Sequence, residues 1–212
     1  MKIFLLLMSL VTGYVLGSVN TAIIAGNIYG ENIRGKGSGN AGFTNALRVL
    51  GPKAAVTVFV GDVLKAALSC LFGYLLTAGE FGSERIFDLE NPNIGLLLAG
   101  TSCIFGHIFP VFFQFKGGKG VLAAATVVFF MDWRIGAILI CLFIIIILIT
   151  RYVSVGSMIS AAGLPIVGLI LEKPAYTTVY TVAIALLVII MHRKNIGRLI
   201  NGAETKLKLG RY

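Results

Sequence analysis

The chain has 212 residues, of which 57% are hydrophobic and 13% are charged, and its formal net charge is +9. This charged fraction is about half that of a soluble domain, which excludes a water-soluble globular protein. Apolar runs of about 20 residues recur along the chain, so we predict an all-α integral membrane protein, because lipid satisfies no exposed backbone hydrogen-bonding group.

Seven apolar segments are predicted to form transmembrane helices, in chain order at about 3–25, 53–78, 94–114, 120–131, 135–150, 155–171 and 175–191. The first segment follows Lys2 but is not followed by a small-residue cleavage site. We therefore interpret it as a retained first helix and not as a signal peptide.

The fourth segment is short for a transmembrane helix. Residues 121–131 rise only about 16 Å at about 1.5 Å per residue, which is about half of the hydrocarbon thickness. The helix is either tilted and extended by its flanks, or the loop before it dips into the membrane. An alternative topology has five spans, with the fourth and sixth segments lying at the interface.

Lysine and arginine are concentrated in the loops of one predicted side, at residues 26–52, 115–119, 151–154 and 192–212. The opposite loops contain only Lys2, Arg85, Arg134 and Lys173, and an acidic cluster at 79–93. Because cationic loops remain in the cytoplasm, we predict the N-terminus outside, the C-terminus inside and one polytopic domain over residues 1–212. The same bias explains the net charge without a nucleic-acid partner.

The stretch GKGSGNAGFTNALR, residues 35–48, is called the first basic loop. Its glycines expose backbone N–H groups, its hydroxyl and amide side chains add donors, and its cations add charge, which together suit a phosphate oxyanion. If a helix begins near Asn45, Arg48 lies in its first turn, close to an anion site. The alternative is a flexible loop that touches anionic lipid. The candidate binding residues are Gly37, Ser38, Gly39, Asn40, Thr44, Asn45 and Arg48.

The stretch FKGGKG, residues 115–120, is called the second basic loop and lies on the same predicted side. Lys119 and the backbone of Gly117 and Gly118 precede a helix N-terminus, so all three are expected to converge on one anion. The alternative is a pair of snorkelling lysines around a glycine turn.

Two further stretches lie on this side. In HRKNIGR, residues 192–198, His192 and Asn195 are three residues apart and share a helix face, although a basic stop-transfer flank is the alternative. In RYVSVGS, residues 151–157, either Ser154 or Ser157 is predicted to cap the following helix.

The buried segments contain few polar groups. Asp62 and Lys65 are three residues apart inside the second segment, and a structural ion pair is the favoured interpretation. His107 is interpreted as a satisfied helix-end residue. The three cysteines all lie in apolar runs and are interpreted as core residues. The inner loops contain no paired carboxylates, so no metal site is expected.

Several long motifs together resemble one family. They are GSVNTA at 17–22, IRGKGSGNAGFTNALRVLG at 33–51, GDVLKA at 61–66, GHIFPVFFQFKGGKGV at 106–121, RYVSVGS at 151–157 and HRKNIGRLINGAE at 192–204. They resemble, in order and over nearly the whole chain, the bacterial membrane acyl-phosphate:glycerol-3-phosphate acyltransferases of the PlsY type. The chain departs from the usual pattern at Asn20, Ala41 and Leu122, and none of these departures removes a candidate ligand-binding residue.

The resemblance implies transfer of a fatty acyl group from a long-chain acyl phosphate to the 1-hydroxyl of sn-glycerol 3-phosphate. The products would be 1-acyl-glycerol 3-phosphate, which is lysophosphatidic acid, and inorganic phosphate, in phospholipid synthesis. The resemblance further implies a multi-pass protein of the bacterial inner membrane, in contact with membrane lipid, whose site faces the cytoplasm. No cofactor, metal ion, nucleic acid or obligate protein partner is expected.

The family pattern also implies roles for individual residues. Residues assigned to the substrate phosphates and the reacting centre are Ser38, Arg48, Lys119, Ser157, His192 and Asn195. The general base stays open between His192 and a phosphate oxygen of the donor, and we favour the substrate-assisted route with His192 as an orienting partner. A small organic-anion or phosphate transporter is the alternative function, although such proteins usually have repeated halves, and no repeat is evident.

Overall fold

The computed structural model describes residues 1–80 and 93–207. In this described part the chain forms ten α-helices and one 3-10 helix without any β-strand, which confirms the all-α prediction. The helices form two compact units, Met1–Asp132 and Trp133–Tyr212. A single domain over residues 1–212 stays a prediction.

The first unit contains six α-helices and the 3-10 helix. They are α1 (Lys2–Ser18), α2 (Thr21–Ile28), α3 (Phe43–Leu50), α4 (Pro52–Thr77), α5 (Ile94–Ile108), the 3-10 helix Val111–Phe113 and α6 (Val121–Met131). Pro52 occupies the first turn of α4, where its missing N–H leaves no hydrogen bond unmade.

Small residues bring α1 and α5 into close contact. A Cβ at Gly13 would overlap the carbonyl oxygen of Ala99, and a Cβ at Gly17 would overlap that of Cys103. Such small-residue crossings let helix backbones approach closely inside a membrane. Helices α1, α4 and α5 all pack against one another. The first basic loop lies between α2 and α3 and runs into α3, and the second lies between the 3-10 helix and α6.

The break between α1 and α2 is stabilised by polar side chains. The Asn20 side chain caps α2 by accepting a hydrogen bond from the Ile23 N–H at 3.0 Å. Lys65 Nζ in α4 donates to the Val19 carbonyl at 2.9 Å. These bonds satisfy backbone groups that a helix break leaves without partners. Lys65 Nζ also lies 2.9 Å from Asp62 Oδ1, which confirms the predicted intramembrane ion pair.

The second unit contains the remaining four helices. They are α7 (Trp133–Thr150), α8 (Val153–Ile170), α9 (Ala175–Met191) and α10 (Arg193–Ile200). Helix α8 packs against both α7 and α9. Helices α9 and α10 meet at His192 with a bend of 54°.

Among the described residues, five segments are long and apolar enough to cross a membrane: Lys2–Ile28, Pro52–Thr77, Ile94–Phe113, Trp133–Thr150 and Val153–Ile170. The bent pair α9 and α10 would make a sixth. Helix α6 has only 11 residues, as the sequence predicts for the short fourth segment. Seven spans, the five-span alternative and the orientation of the termini stay predictions. Most of the acidic stretch 79–93 lies outside the described residues.

Candidate active site

The first basic loop is organised by one buried side chain, Asn45. Its Oδ1 accepts a hydrogen bond from the Ser38 N–H at 2.8 Å, while its Nδ2 donates to the carbonyls of Ile33 at 2.9 Å and Lys36 at 3.1 Å. These three bonds use the acceptor and both donor hydrogens of the carboxamide. The prediction that Asn45 donates to phosphate is therefore corrected, because this side chain holds the loop together.

Two glycines of this loop have the left-handed backbone that glycine adopts without strain. Gly37 has φ 60° and Gly39 has φ 71°. A Cβ at Gly37 would also overlap Asn45 Oδ1. The Gly39 N–H donates to the Lys36 carbonyl at 3.0 Å, so this amide serves the loop and not a ligand.

Arg48 lies at the opposite end of its helix from the predicted position. Helix α3 begins at Phe43, so Arg48 falls in the last turn and not in the first. The reason is that Gly42 adopts an extended conformation and its carbonyl accepts the first helical hydrogen bonds, two residues earlier than predicted. Phe43 packs edge-to-face on Phe59 of α4 with ring centroids 5.7 Å apart, which ties the start of α3 to α4.

The second basic loop folds back onto the end of α5. The Gly117 N–H donates to the Ile108 carbonyl at 3.0 Å, and the Gly118 N–H donates to the His107 carbonyl at 3.1 Å. The prediction that these two amides bind an anion is corrected, because both satisfy the last carbonyls of α5. The glycines instead allow the loop backbone to pack closely against α5, since a Cβ at Gly118 would overlap His107 Nε2.

The two basic loops contact each other. Arg34 Nη1, just before the first basic loop, donates to the carbonyls of Phe113 at 3.1 Å and Lys116 at 3.3 Å. A Cβ at Gly118 would lie 2.5 Å from the Ala41 carbonyl oxygen. The loops therefore lie at one end of the first unit, as predicted from their charge.

Several groups of these loops remain suited to a phosphate. Within the described residues, the Ser38 hydroxyl and the side chains of Asn40 and Thr44 make no hydrogen bond. Lys119 is half-buried immediately before α6, whose first amides have no carbonyl within the helix to bind. A cation beside such amides is a favourable setting for an anion.

In the second unit, a buried carboxylate gathers three donors. Glu204 Oε1 accepts hydrogen bonds from Ser154 Oγ at 2.7 Å and Asn195 Nδ2 at 2.6 Å. Its other oxygen, Oε2, accepts from Arg198 Nε at 2.6 Å, and the side chain is only 6% exposed. The first turn of α8 and the segment after α9 therefore meet, as predicted from the basic residues that both stretches contain.

The Glu204 contacts orient the Asn195 carboxamide. A carboxylate only accepts hydrogen bonds, so the Asn195 NH₂ must face Glu204 and Oδ1 must point away from it. Asn195 Oδ1 is buried and has no hydrogen-bond donor among the described residues. A buried acceptor without a donor is costly, so Oδ1 is a candidate to accept a hydrogen bond from a group outside the described residues.

His192 is buried at the bend between α9 and α10. Its Nδ1 lies 2.8 Å from the Val188 carbonyl, which can only accept, so the proton of a neutral imidazole lies on Nδ1. Nε2 then carries a lone pair that can accept a hydrogen bond from a hydroxyl. The Asn195 N–H donates to the His192 carbonyl at 2.8 Å, so the two residues are coupled across the bend.

Neither serine of the 151–157 turn caps α8. The N-cap is Tyr152, which makes no side-chain capping bond, so the capping prediction is wrong. Ser154 binds Glu204 instead, and Ser157 Oγ donates to the Val153 carbonyl at 3.0 Å. Ser154 and Ser157 lie inside the helix, where Ser157 bonds the carbonyl one turn before it.

The pKa of the Glu204 carboxyl is lowered. Burial raises this pKa, but the hydrogen bonds from Ser154, Arg198 and Asn195 and the charge of Arg198 outweigh burial. The ionised form is therefore preferred in the folded protein. The ionised Glu204 carboxylate stabilises the folded protein at pH values above the ordinary glutamate pKa. This stabilisation is lost as the pH falls through the lowered pKa of the folded protein.

A Glu204→Gln substitution is expected to lower the unfolding free energy by about 1.5 kcal/mol at pH 7. The NH₂ group of the glutamine would replace a carboxylate oxygen that accepts a hydrogen bond, and would therefore face a donor. The difference should vanish at acidic pH, where Glu204 is protonated in both states. Thermal unfolding in detergent across the pH range measures this. Glu172→Gln is the matched control, since Glu172 is exposed and has no side-chain partner among the described residues. A difference that persists at acidic pH would contradict the assignment.

A family model described as "Glycerol-3-phosphate acyltransferase" matches residues 7–202. The chain belongs to the glycerol-3-phosphate acyltransferase family. It is 38% identical over 203 residues to glycerol-3-phosphate acyltransferase 2 of Bacillus anthracis, covering 95% of this chain and 98% of that protein. It is also 38% identical over 199 residues to the glycerol-3-phosphate acyltransferase of Syntrophomonas wolfei, covering 93% of this chain and 95% of the relative.

The fold is similar to that of PlsY, an integral membrane glycerol 3-phosphate acyltransferase. The crystal structure of the glycerol 3-phosphate form of PlsY superposes with a TM-score of 0.84 at 32% identity, over 96% of both chains. The lysophosphatidic acid form gives a TM-score of 0.81, over 96% of this chain and 95% of PlsY. The chain is therefore an integral membrane acyltransferase of phospholipid synthesis.

The sequence prediction for this acyltransferase did not include Glu204 or Arg34 among the site residues. A signal for Glu204 was present, because it is the single carboxylate among six cations in residues 192–212. Opposite charges this close in sequence can form an ion pair, as Glu204 does with Arg198. Nothing local to Arg34 indicates that its guanidinium joins two loops that are 79 residues apart.

Proposed function

We propose that this acyltransferase transfers a fatty acyl group from acyl phosphate to the 1-hydroxyl of sn-glycerol 3-phosphate, releasing lysophosphatidic acid and inorganic phosphate. The single observation that carries the proposal is Asn195 Oδ1, which is buried and has no hydrogen-bond partner among the described residues. A phosphate at neutral pH offers mainly acceptors, so this atom suits a hydroxyl donor. An alcohol substrate therefore fits this position better than a second phosphate.

The two basic loops supply the complementary chemistry for phosphate groups. Lys119 with the first amides of α6 is assigned to one phosphate, and Ser38 and Arg48 are assigned to substrate phosphate as well. Ser157 is assigned to substrate phosphate binding. The first-loop residues that keep open donors, Asn40 and Thr44, are assigned to binding, while Gly37, Gly39, Gly117 and Gly118 allow the close backbone packing that shapes the loops.

The reaction needs little general-base assistance. The glycerol hydroxyl attacks the acyl carbon, a tetrahedral intermediate forms, and phosphate leaves with the bonding electrons. Phosphate is a good leaving group, so positioning and cationic stabilisation supply most of the catalysis. A donor phosphate oxygen accepts the proton of the attacking 1-hydroxyl, and His192 and Asn195 orient glycerol 3-phosphate through its hydroxyl groups. We place this chemistry at the cytoplasmic face of the bacterial inner membrane.

Purified protein in detergent or liposomes tests the proposal. Palmitoyl phosphate should release inorganic phosphate only when glycerol 3-phosphate is present, and a chelator should not alter the rate. Matched liposomes without acyl donor should take up no radiolabelled glycerol 3-phosphate or phosphate. Uptake without any acylated product would replace the proposal by the transporter function.

A His192→Ala substitution is expected to lower kcat by about tenfold, because it removes an orienting contact but not the base. The shape of the pH–kcat profile should match that of the unsubstituted enzyme. Steady-state kinetics at saturating concentrations of both substrates measures both quantities. A loss of more than about 10³-fold, with a lost acid limb in the profile, would assign the base to His192.

A further inference from the structure

A compact polar cluster lies inside the first unit, apart from the residues assigned to substrate. It consists of Thr21, Asp62, Lys65 and His107. The three titratable members come from α4 and α5 and are each at most 5% exposed. Charged groups buried at membrane depth are costly, so a protein retains them only where they do specific work.

All three ammonium hydrogens of Lys65 have acceptors. Nζ lies 2.9 Å from the Val19 carbonyl, 2.9 Å from Asp62 Oδ1 and 3.0 Å from His107 Nδ1. Asp62 Oδ1 also accepts a hydrogen bond from Thr21 Oγ1 at 2.8 Å. The Lys65 ammonium is therefore satisfied, and its charge is balanced by the Asp62 carboxylate.

The geometry selects the protonation state of His107. An ammonium group has no lone pair, so His107 Nδ1 must be the acceptor of the Lys65 hydrogen bond. The Asp62 Oδ1–His107 Nδ1 distance of 3.5 Å is longer and does not compete with it. His107 is therefore a neutral imidazole whose proton lies on Nε2.

The protonated edge of this ring faces the second basic loop. Nε2 is the first atom that a Cβ at Gly118 would meet, and the Ala41 carbonyl of the first basic loop lies beside the same point. The His107 carbonyl accepts the Gly118 N–H at 3.1 Å. His107 thus contacts Gly118 through its backbone and its side chain, and Lys119 is the next residue.

We propose that Asp62, Lys65 and His107 are positioning residues that hold Gly118, and through it the Lys119 ammonium, in the geometry that binds phosphate. The proposal rests on the function proposed above for the second basic loop. The ion pair fixes the imidazole in one tautomer and rotamer, and the imidazole fixes the loop. None of the three residues touches substrate.

The first test is independent of activity. The chain contains two histidines, so a ¹⁵N-histidine spectrum of the protein holds two imidazoles, and a His107→Asn variant assigns them. The proposal predicts a neutral His107 that is unprotonated at Nδ1 and protonated at Nε2. A His107 protonated at Nδ1, whether neutral or cationic, would overturn it.

The second test removes both charges together, because removing one alone leaves an unpaired buried charge. The Asp62→Leu/Lys65→Met enzyme should keep its melting temperature within a few degrees but lose about 100-fold in kcat/KM for palmitoyl phosphate and glycerol 3-phosphate. The loss should disappear in a Lys119→Ala background, because the cluster acts through Lys119. If the cluster has only a structural role, the losses in kcat/KM from Asp62→Leu/Lys65→Met and from Lys119→Ala should add when the substitutions are combined. Additive losses, or an unaltered kcat/KM in Asp62→Leu/Lys65→Met, would overturn the proposal.

The two tests separate this proposal from the proposed function. An unsubstituted enzyme without acyl transfer would refute the function while the histidine spectrum still decides the geometry. If the double variant does not fold, that spectrum alone decides whether Lys65 donates to His107.

Discussion

A Gly118→Ala substitution is expected to reduce kcat/KM by at least about 100-fold, the scale of a displacement of about 1 Å at a reacting group. The added Cβ would overlap His107 Nε2 and press on the Ala41 carbonyl. Neither group can move away easily, because the His107 ring is hydrogen-bonded to Lys65 and the Ala41 carbonyl is part of the backbone. The second basic loop must move, and Lys119 moves with it.

Steady-state kinetics and thermal unfolding of Gly118→Ala measure the two consequences. Overpacking of this kind costs about 1–3 kcal/mol, so the variant should still fold if the protein has ordinary stability. Gly79→Ala is the matched control, because no atom of the described residues lies within 4 Å of a Cβ at that position. Activity of Gly118→Ala equal to that of Gly79→Ala would contradict the described packing of the loop.

An Asn45→Ala substitution should be similarly damaging for a different reason. It leaves the Ser38 N–H and the carbonyls of Ile33 and Lys36 without their partner, at a cost of about 3 kcal/mol if each bond contributes about 1 kcal/mol. The first basic loop then loses its conformation, and we expect kcat/KM to fall by about 100-fold or more.

Asn45→Asp discriminates between the two halves of the carboxamide. The aspartate keeps the acceptor for Ser38 but places a carboxylate against two carbonyl oxygens, so it should also be defective. Asn27→Ala is the control, since Asn27 is exposed and its side chain has no partner among the described residues. Kinetics and melting temperatures near those of the control in both Asn45 variants would contradict the organising role.

The helices were the most predictable part of this acyltransferase. Apolar length and the requirement to satisfy backbone groups in lipid predict the spanning helices, and the 11 residues of α6 follow from the short run after Gly120. The boundaries differ by a few residues where capping decides them, as at Gly42 before α3 and Tyr152 before α8.

Residue types in the loops predict a cationic, donor-rich surface, but they do not predict the role of each residue. Asn45 and Gly118 are placed within donor-rich loops by sequence, yet whether a donor faces a ligand or the protein depends on tertiary contacts. The Asn45 side-chain NH₂ donates to backbone carbonyls, one of them 12 residues away. The Gly118 N–H donates to the carbonyl of His107 in α5. Local patterns do not contain such partners.

The polar cluster shows the same limit at longer range. Asp62 and Lys65 are recognisable as a pair because they share a helix face, three residues apart. His107 joins them from a different helix, 42 residues beyond Lys65. Only the packing of α4 against α5 converts a lone histidine into the third member of the cluster.

A competition between two acyl donors tests the proposed acyl-phosphate dependence most directly. Purified enzyme receives glycerol 3-phosphate together with ¹³C-labelled palmitoyl phosphate and unlabelled palmitoyl-CoA, and mass spectrometry follows the acyl group of the lysophosphatidic acid formed. We predict product that carries the ¹³C label alone, acylated at the 1-hydroxyl, with one phosphate released per product. Product acylated from palmitoyl-CoA, or phosphate released without any acylated glycerol 3-phosphate, would contradict acyl transfer from acyl phosphate to glycerol 3-phosphate.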